Sequence, residues 1–426
     1  MKKPKGNRAG RRRARRRSRE PARSPPANNA LSALTASAMA LPGLAGAAAA
    51  DGGPVSQFSV DAGYSYYKED NLPVKKSQAN NPTRERMEIH SYQMRIDAPL
   101  DDRMDVSVDL GFETMSGASP WYVFQAAPGE DLVQVMSGAT IDDTRFDALG
   151  TGNYYLDWGS ASAAAGFSIE DDYYSGNLGL AVSRDFNDKN TTLSAGTGVS
   201  LDWLEPTQDR GDPGRPTHED KQSINVYAGI SQILTRHSAI QSTFSYDYST
   251  GYLSDPYKRA SVAGNLERDQ RPSTRNQFTW LTRYRHHLSA FNGTLHLDYR
   301  FHADDWSINS STFDIAWYQD LLWGIQIIPS FRYYSQSEAD FYEPVYLAPK
   351  ANEKYSSDYR LSPYGAISYR LKAEVTQEIA GGILIVGSLS YERYDSDADL
   401  ALQNVSVENP GLVDFHLFAG RIGVTW

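Results

Sequence analysis

Strict alternation of apolar and polar side chains in residues 294–302, TLHLDYRFH, is the feature that most constrains how this chain can fold. Successive side chains of a β-strand point to opposite faces, so the segment predicts a strand with one apolar and one charged face. The same pattern recurs four times between about Thr274 and Tyr334. Neighbouring segments are rich in Tyr and Trp and are joined alternately by tight turns and by long polar loops. This combination is typical of a transmembrane β-barrel.

The alternation predicts an all-β fold: a transmembrane antiparallel up-and-down β-barrel of about sixteen strands, with fourteen to eighteen compatible. Short connections alternate with long ones, as expected for inner turns and outer loops, although 170–173 and 303–307 are short where outer loops are expected. The predicted strands lie near 58–66, 88–98, 104–113, 141–158, 161–169, 178–186, 193–203, 222–233, 238–250, 275–286, 293–302, 308–319, 325–336, 359–371, 383–394 and 412–426.

The first fifty residues read as a leader that precedes the barrel. Residues 1–24 contain twelve Lys or Arg and one acid, whereas residues 25–50 carry no charge. Basic residues, a mildly apolar run and a small-residue zone are the parts of a signal peptide, with cleavage expected near Ala50. A basic arm for nucleic acid is the alternative, which the abrupt change after residue 50 disfavours. We therefore expect a leader at 1–50, a barrel at 51–426, export to the Gram-negative outer membrane and no nucleic-acid partner.

The C-terminus predicts two partners of a membrane barrel. The final strand alternates up to the aromatic Trp426, an ending that resembles the signal read by the barrel-assembly machinery of bacterial outer membranes. The aromatic residues all follow residue 50 and suit the boundary between lipid and water. Outer-membrane lipid and the assembly machinery are therefore the expected partners.

The polar faces of the predicted strands supply the candidate lumen residues. If the apolar faces meet lipid, the intervening side chains point inward. Opposed acidic and basic side chains predict a field across a water-filled channel, which sixteen strands can enclose. A lumen plugged by paired charges or by a loop is the alternative. The lumen-lining candidates are Arg95, Asp97, Asp105, Asp109, Arg283, Arg285, His296, Asp298, Arg300, His302, Asp314, Arg332 and Arg370.

The connection at residues 115–140 is the best candidate for narrowing such a lumen. It contains small residues followed by aromatic ones, unlike the other long loops, which are charged. The candidate constriction residues are Ser116, Gly117, Ser119, Pro120 and Trp121. A loop packed on the outer rim is the alternative interpretation.

Metal and catalytic motifs are weak. The chain has no cysteine, which excludes disulfides and thiolate sites. Asp395, Asp397 and Asp399 match the first ligands of a Ca²⁺ loop, but Leu400 and Ser406 replace the glycine and glutamate that such a loop requires. Beyond this weak Ca²⁺ candidate, no metal and no cofactor are predicted. The absence of a nucleophile-elbow motif argues against an enzyme.

Four segments together resemble a family of predicted bacterial outer-membrane proteins of unassigned function. They are the run from Leu34 to Leu44, residues 116–120 (SGASP), residues 168–175 (SIEDDYYS) and residues 190–193 (NTTL). The resemblance implies a Gram-negative outer-membrane barrel. Members are often encoded beside a periplasmic flavin transferase and a small lipoprotein, which implies a periplasmic redox or lipoprotein partner. The Arg-rich extension before the signal departs from the family pattern.

Three functions are compatible with these features. The first is an outer-membrane barrel that acts as a pore, channel or scaffold for small polar solutes, without enzymatic activity. The second is a barrel that docks or sheathes a periplasmic redox or lipoprotein partner. The third is an outer-membrane lipid hydrolase.

Overall fold

The structure, a computed structural model, describes residues 54–127, 129–137, 141–208, 214–379 and 381–426. The predicted leader and the cleavage site near Ala50 lie outside the described residues. Within the described ranges, no helix is long and apolar enough to cross a membrane.

Sixteen antiparallel strands close into one barrel, which confirms the predicted fold and strand number. In wall order they are β1 (Ser59–Glu69), β2 (Glu88–Asp101), β3 (Met104–Gly117), β6 (Ile141–Leu156), β7 (Gly159–Ile169), β8 (Tyr173–Phe186), β9 (Thr191–Leu204), β10 (Glu219–Thr235), β11 (Ser238–Gly251), β14 (Thr274–Leu288), β15 (Gly293–Asp304), β16 (Asn309–Asp320), β17 (Ile325–Gln336), β18 (Tyr364–Ile379), β19 (Ile383–Asp397) and β20 (Phe415–Thr425). Two hairpins, β4 (Pro120–Phe124) with β5 (Val133–Met136) and β12 (Arg259–Val262) with β13 (Asn265–Arg268), lie in the connections. Short 3₁₀ turns span Val74–Lys76, Leu322–Gly324, Tyr359–Leu361 and Ala398–Leu400.

The first and last strands close the wall by pairing with each other. Their register runs from Ser59 opposite Thr425 to Glu69 opposite Phe415. Beyond the last paired residue, the backbone of Trp426 exchanges hydrogen bonds with that of Phe58, and the two rings lie 4.9 Å apart. The two ends of the chain's barrel region therefore meet at one edge of the wall.

The two ends of the barrel differ in the length of the connections that they carry. At the end where β1 starts, adjacent strands are joined by two to four residues, whereas the other end carries loops of up to 27 residues. The 187–190 turn places Asn187, Asp188 and Lys189 at positive φ, a conformation that Asn and Asp tolerate in short turns. The connections at 170–172 and 305–308 are the short members of the long-loop end. We call that end the outer end.

Two predicted strand boundaries are wrong for identifiable reasons. β8 begins at Tyr173, five residues before the predicted start at Leu178, because the sheet ladder continues to its pairing with Leu204. β18 begins at Tyr364 instead of residue 359, because Asp358 caps a 3₁₀ turn by accepting a hydrogen bond from the backbone of Arg360. The strand then extends past residue 371 to Ile379.

The buried apolar clusters of the described residues lie among the outer loops and the outer strand ends. The largest of them packs Trp306 against Phe341, with ring centroids 5.2 Å apart. Others join Leu72 with Met136, Ala260 with Tyr346, and Ile89 with Met115. The apolar packing thus holds loops together above the wall, while the wall itself depends on its closed hydrogen-bond ladder.

Candidate functional site: the charged wall and the outer loop cap

The two faces of the wall differ in exposure as well as in polarity. In β8, Leu178 and Leu180 are each 61 % exposed, whereas Asn177, Gly179 and Ala181 on the other face are half-buried. In β9, Asp202 is only 3 % exposed between Leu201 and Trp203, which are both above 40 %. The apolar face is therefore the open face, and the polar face is the shielded one. The lumen-lining candidates lie on the polar face of their strands, which we call the shielded face; ten of them are buried or half-buried, whereas Arg300, Arg332 and Arg370 are exposed.

Strands β14 to β17 bring basic residues together with a few acids. Arg285 forms a bidentate contact with Asp298, in which Nη2 donates to Oδ2 at 3.1 Å. Arg283 lies 3.8 Å from the same carboxylate. One strand pair further on, Arg332 Nε lies 2.6 Å from Asp314 Oδ1. These five candidates form two groups on four neighbouring strands, with Asp298 and Asp314 opposite each other in the register of β15 and β16.

Both candidate histidines on β15 contact neighbouring strands. The ring of His296 packs against that of Tyr318, with centroids 4.0 Å apart and planes tilted by 30°. His302 lies 3.2 Å from the hydroxyl of Thr279 through Nδ1 and 3.8 Å from Asp304 through Nε2. Since they contact different partners, the two rings do not form a joint site.

Two arginines of this region have no carboxylate partner in the part of the chain that the structure describes. Arg370 Nε donates to the Ser330 hydroxyl at 3.2 Å. Arg300 lies in register with Leu281 and Thr312 and has no described carboxylate within 4.0 Å. The C-terminal half of the shielded face therefore carries unpaired positive charge.

The candidates on β2 and β3 lie on the opposite side of the barrel wall from β14 to β17. Arg95 pairs with Asp97 at 2.9 Å and with Asp109 at 3.0 Å. Asp105 accepts hydrogen bonds from Asn153 at 2.7 Å and from the backbone of Val55 at 3.0 Å. The segment before β1 therefore reaches the shielded face at the short-turn end.

Loops from distant parts of the wall meet over the outer end. We call the described residues of 70–87, 118–137, 252–273, 337–363 and 398–414 the outer loop cap. Lys258, which follows β11, donates to the backbone oxygen of Pro120, which follows β3, at 3.0 Å. The Tyr257 hydroxyl donates to Asp172 between β7 and β8. Because these strands lie far apart around the barrel, the loops cross the outer opening.

A buried ion cluster joins the loops 252–273 and 337–363 of this cap. Asp358 lies 2.9 Å from Arg271 and 3.8 Å from Lys258, and it also pairs with Arg360. Burial alone would raise the pKa of Asp358, but Arg360, Lys258 and Arg271 hold it below its ordinary value. Burial lowers the pKa of Lys258, and Asp358 opposes that effect. Removing one member would leave the others as costly buried charges.

Further contacts attach the remaining loops. Arg86 donates to the backbone oxygen of Leu412 at 2.8 Å, and Asn409 donates to the Tyr342 hydroxyl at 2.7 Å. At the surface, a cleft of about 520 Å³ lies between four loops and contains Lys76 and Glu408, whose side chains pair at 2.5 Å.

The constriction candidates divide between the wall and the cap. Ser116 and Gly117 belong to β3, because the ladder with β6 continues through them, and only the other three candidates are in the loop. The backbone N–H of Ser137 donates to the backbone oxygen of Ser119, and the amine of Lys258 donates to that of Pro120. Trp121 packs edge-on against Tyr122. The contacts found for this loop are therefore with the cap.

The weak Ca²⁺ candidates are held by other partners. Asp395 pairs with Arg393 at 2.6 Å, while Asp397 accepts from the backbone of Asp399 and caps a 3₁₀ turn. Sequence reasoning missed a different group: Asp143, Glu170 and Asp172 are buried and close together. The acidic run 170–172 inside a short connection was the available signal, but Asp143 comes from another strand.

Comparison with solved structures finds outer-membrane barrels. The outer membrane protein OpdK from Pseudomonas aeruginosa is 8 % identical, with a TM-score of 0.41, and 87 % of this chain covers 98 % of that one. OprD from the same organism is 8 % identical, with a TM-score of 0.40 and coverages of 87 % and 94 %. For the siderophore receptor PirA, also from P. aeruginosa, the identity is 9 %, the TM-score is 0.39 and the coverages are 80 % and 56 %. The chain thus spans little more than half the length of that receptor.

Comparison with curated proteins finds no match. The family described as "Protein of unknown function (DUF3570)" matches residues 31–408, which include most of the barrel. The closed sixteen-stranded wall has the barrel fold that the sequence resemblance implied. This chain belongs to the DUF3570 family.

Proposed function

We propose that this protein is an outer-membrane pore for small polar solutes whose outer opening is gated by the loop cap. The observation that carries the proposal is the shielded, charged face of a closed sixteen-stranded wall. Barrels of this strand number are wide enough to hold an aqueous channel. The charged side chains on that face then line water, and the exposed apolar face meets lipid.

The arrangement of charge supports selectivity for small ionic or polar solutes. Arg283, Arg300 and Arg332 lie on the side of the wall opposite the Asp97–Asp109 region. A solute between them experiences a field across the channel, which orients dipoles and favours one sign of ion. Because Arg300 and Arg370 lack described carboxylate partners, the proposal predicts a preference for anionic solutes.

The cap supports gating. Lys258 bridges two loops that start on distant strands, and its amine is buried with Asp358. The ions are paired in the structure, which is the closed arrangement of the proposed gate, and separation of the loops would break these pairs and open it. The proposed pore therefore opens by displacement of loop 252–273.

Single-channel recording in planar bilayers tests this proposal with three variants. Wild type is expected to open rarely, Lys258→Met to open more often, and replacement of residues 253–271 by a short Gly-Ser turn to conduct steadily. Lys75→Met is the matched control, because Lys75 is an exposed lysine of the same cap. If the loop-replaced barrel inserts and carries no current, the lumen is closed elsewhere and the pore proposal is wrong.

A second candidate function follows from the same cap. A barrel closed at the outer end and open at the short-turn end could dock a periplasmic redox or lipoprotein partner. The observation that favours it is the contact of Val55 with Asp105, which brings the chain onto the shielded face at that end. Crosslinking in intact envelopes, followed by isolation of a stoichiometric partner, tests this function.

Lipid hydrolysis requires a serine activated by histidine on the lipid-facing wall. Three histidines on the apolar face instead contact tyrosines: His90 with Tyr64 and His416 with Tyr391, each at 2.8 Å, and His286 with Tyr284 at 3.2 Å. We therefore place this function last, and a lipase assay with and without Ca²⁺ tests it.

A further inference from the structure

Three carboxylates meet at the outer end of the wall. Asp143 extends from β6, and Glu170 and Asp172 lie in the connection between β7 and β8. One oxygen of each lies within 4.8 Å of an oxygen of the other two. The three side chains are at most 3 % exposed. Like charges at this distance without water require compensation by a proton or a cation.

Two oxygens in this cluster have unmet hydrogen-bonding capacity. Oε1 of Glu170 and Oδ1 of Asp172 are buried and have no hydrogen-bond partner. An ionised oxygen buried in this way costs free energy unless another group satisfies it. The other oxygen of Asp172 accepts from Tyr257, so the hydrogen bond from the cap leaves Oδ1 unsatisfied.

One guanidinium is shared among several acids at this place. Arg145 lies 3.7 Å from Glu113, 3.5 Å from Asp147 and 3.8 Å from Glu170, and its Nε donates a hydrogen bond to Ser168 at 3.0 Å. Burial raises the pKa of Glu170 to about 8 and that of Asp172 to about 7. The pKa of Glu170 thus stays raised although Arg145 opposes the effect of burial.

The geometry points to a Ca²⁺ site formed by Asp143, Glu170 and Asp172, and we propose that the bound ion stabilises the attachment of loop 252–273 through Tyr257. Ca²⁺ takes oxygen ligands at about 2.3–2.6 Å, so ligands on opposite sides of one ion are about 5 Å apart. Mg²⁺ binds at about 2.0–2.1 Å and requires closer oxygens. The three oxygens lie within 4.8 Å of one another, a spacing that ligands around one Ca²⁺ ion can have. The site requires the folded barrel and does not require that the barrel conducts.

Terbium luminescence provides a direct test, because Tb³⁺ replaces Ca²⁺ and is sensitised by a nearby tyrosine such as Tyr257. The folded full-length protein is stripped with EDTA, loaded with Tb³⁺ and titrated with Ca²⁺, and calorimetry measures Ca²⁺ alone. Wild type is expected to bind with a Kd of about 10⁻⁴–10⁻³ M, the range of extracellular Ca²⁺ modules. Glu170→Gln, which keeps the side-chain shape, is expected to weaken binding more than about tenfold.

Asp171→Asn is the matched control, because Asp171 lies between the two ligands in sequence and is exposed. It should bind Ca²⁺ as wild type does. Asp172→Asn repeats the test if Glu170→Gln fails to fold. In a second readout, Ca²⁺ should slow proteolysis within loop 252–273 in wild type and in Asp171→Asn, but not in Glu170→Gln.

Two results would overturn the site. One is the absence of saturable Ca²⁺ binding by wild type at about 10 mM, well above the range of such modules. The other is equal binding by Glu170→Gln and Asp171→Asn, which would place the ion on exposed acids. If Glu170→Gln stabilises the EDTA-treated protein and wild type binds no Ca²⁺, a proton compensates the cluster instead. None of these results decides whether the barrel conducts, which the single-channel recordings test separately.

Discussion

At the residue scale, the hydrogen bond between Tyr257 and Asp172 is the contact whose loss should be easiest to measure. Tyr257→Phe removes the donor and leaves a second oxygen of a buried carboxylate unsatisfied. We expect a loss of about 1–3 kcal/mol in the free energy of unfolding, measured in urea with lipid vesicles. Tyr369→Phe, the same change at a residue 54 % exposed, should cost less than about 0.5 kcal/mol. Equal effects of the two changes would contradict this role of Tyr257.

The protonation of Glu170 gives a pH dependence of known sign. Burial raises its pKa from an ordinary 4.5 to about 8; Arg145 opposes this, while Asp143, Asp172 and Glu113 add to it. The folded state therefore binds this proton more tightly than the unfolded chain does. In EDTA, its contribution to stability is largest below pH 4.5 and is lost as the pH rises through 8. Unfolding of Glu170→Gln across this range should show a smaller decrease than wild type, and parallel curves would contradict the assignment.

Individual inward residues could be predicted from the sequence only in part. Alternation identified Arg283 and Asp298 as members of one face, and the structure pairs them at 3.8 Å. Alternation does not predict contacts between residues of different strands, or between a strand and a turn. Asp143 and Glu170 are 27 positions apart, and only the register of β6 against β7 brings them together.

At the scale of elements, the pairing of β1 with β20 closes the barrel, so the C-terminal residue should matter for assembly. Trp426→Ala removes the ring that lies 4.9 Å from Phe58. An aromatic pair contributes about 0.5–1.5 kcal/mol beyond its buried area, and we expect at least this loss in unfolding free energy. The folded fraction, read from heat-modifiable migration in gels, should fall with it.

Trp323→Ala is the control for that change, because Trp323 occupies a turn at the same end of the barrel and is 80 % exposed. It should leave the folded fraction nearly unchanged. If the two alanine variants assemble equally well, the terminal tryptophan has no special part in closing the wall.

Strands were the elements that the sequence predicted best, since a period of two is imposed directly by lipid on one side and polar groups on the other. Ends were predicted less well. Alternation of apolar and polar residues predicts a strand through Tyr359 to Leu361 as well, but the hydrogen bond from the backbone of Arg360 to the Asp358 side chain turns the backbone away. Local capping chemistry therefore overrode the alternation.

At the scale of the whole molecule, the cap was the part least accessible to sequence reasoning. Lys258 and Pro120 are 138 positions apart, and nothing in either loop indicates the other. The wall, by contrast, follows from nearest neighbours in sequence, because each strand pairs with the strand before and after it. A cap assembled from such distant segments needs the finished wall to bring its loops together.

Orientation in the membrane is the prediction that belongs to the whole molecule, and the absence of cysteine makes it simple to test. Leu347, 74 % exposed in the long-loop end, and Lys189, exposed in the 187–190 turn, lie at opposite ends of the barrel. In intact cells, a membrane-impermeant maleimide should label Leu347→Cys and spare Lys189→Cys, while disrupted cells should give equal labelling. The reason is that long loops of outer-membrane barrels face the exterior and short turns face the periplasm. Labelling of Lys189→Cys alone in intact cells would show the opposite orientation. Labelling of both variants in intact cells would show that both ends are accessible from outside, which contradicts a barrel that spans the outer membrane.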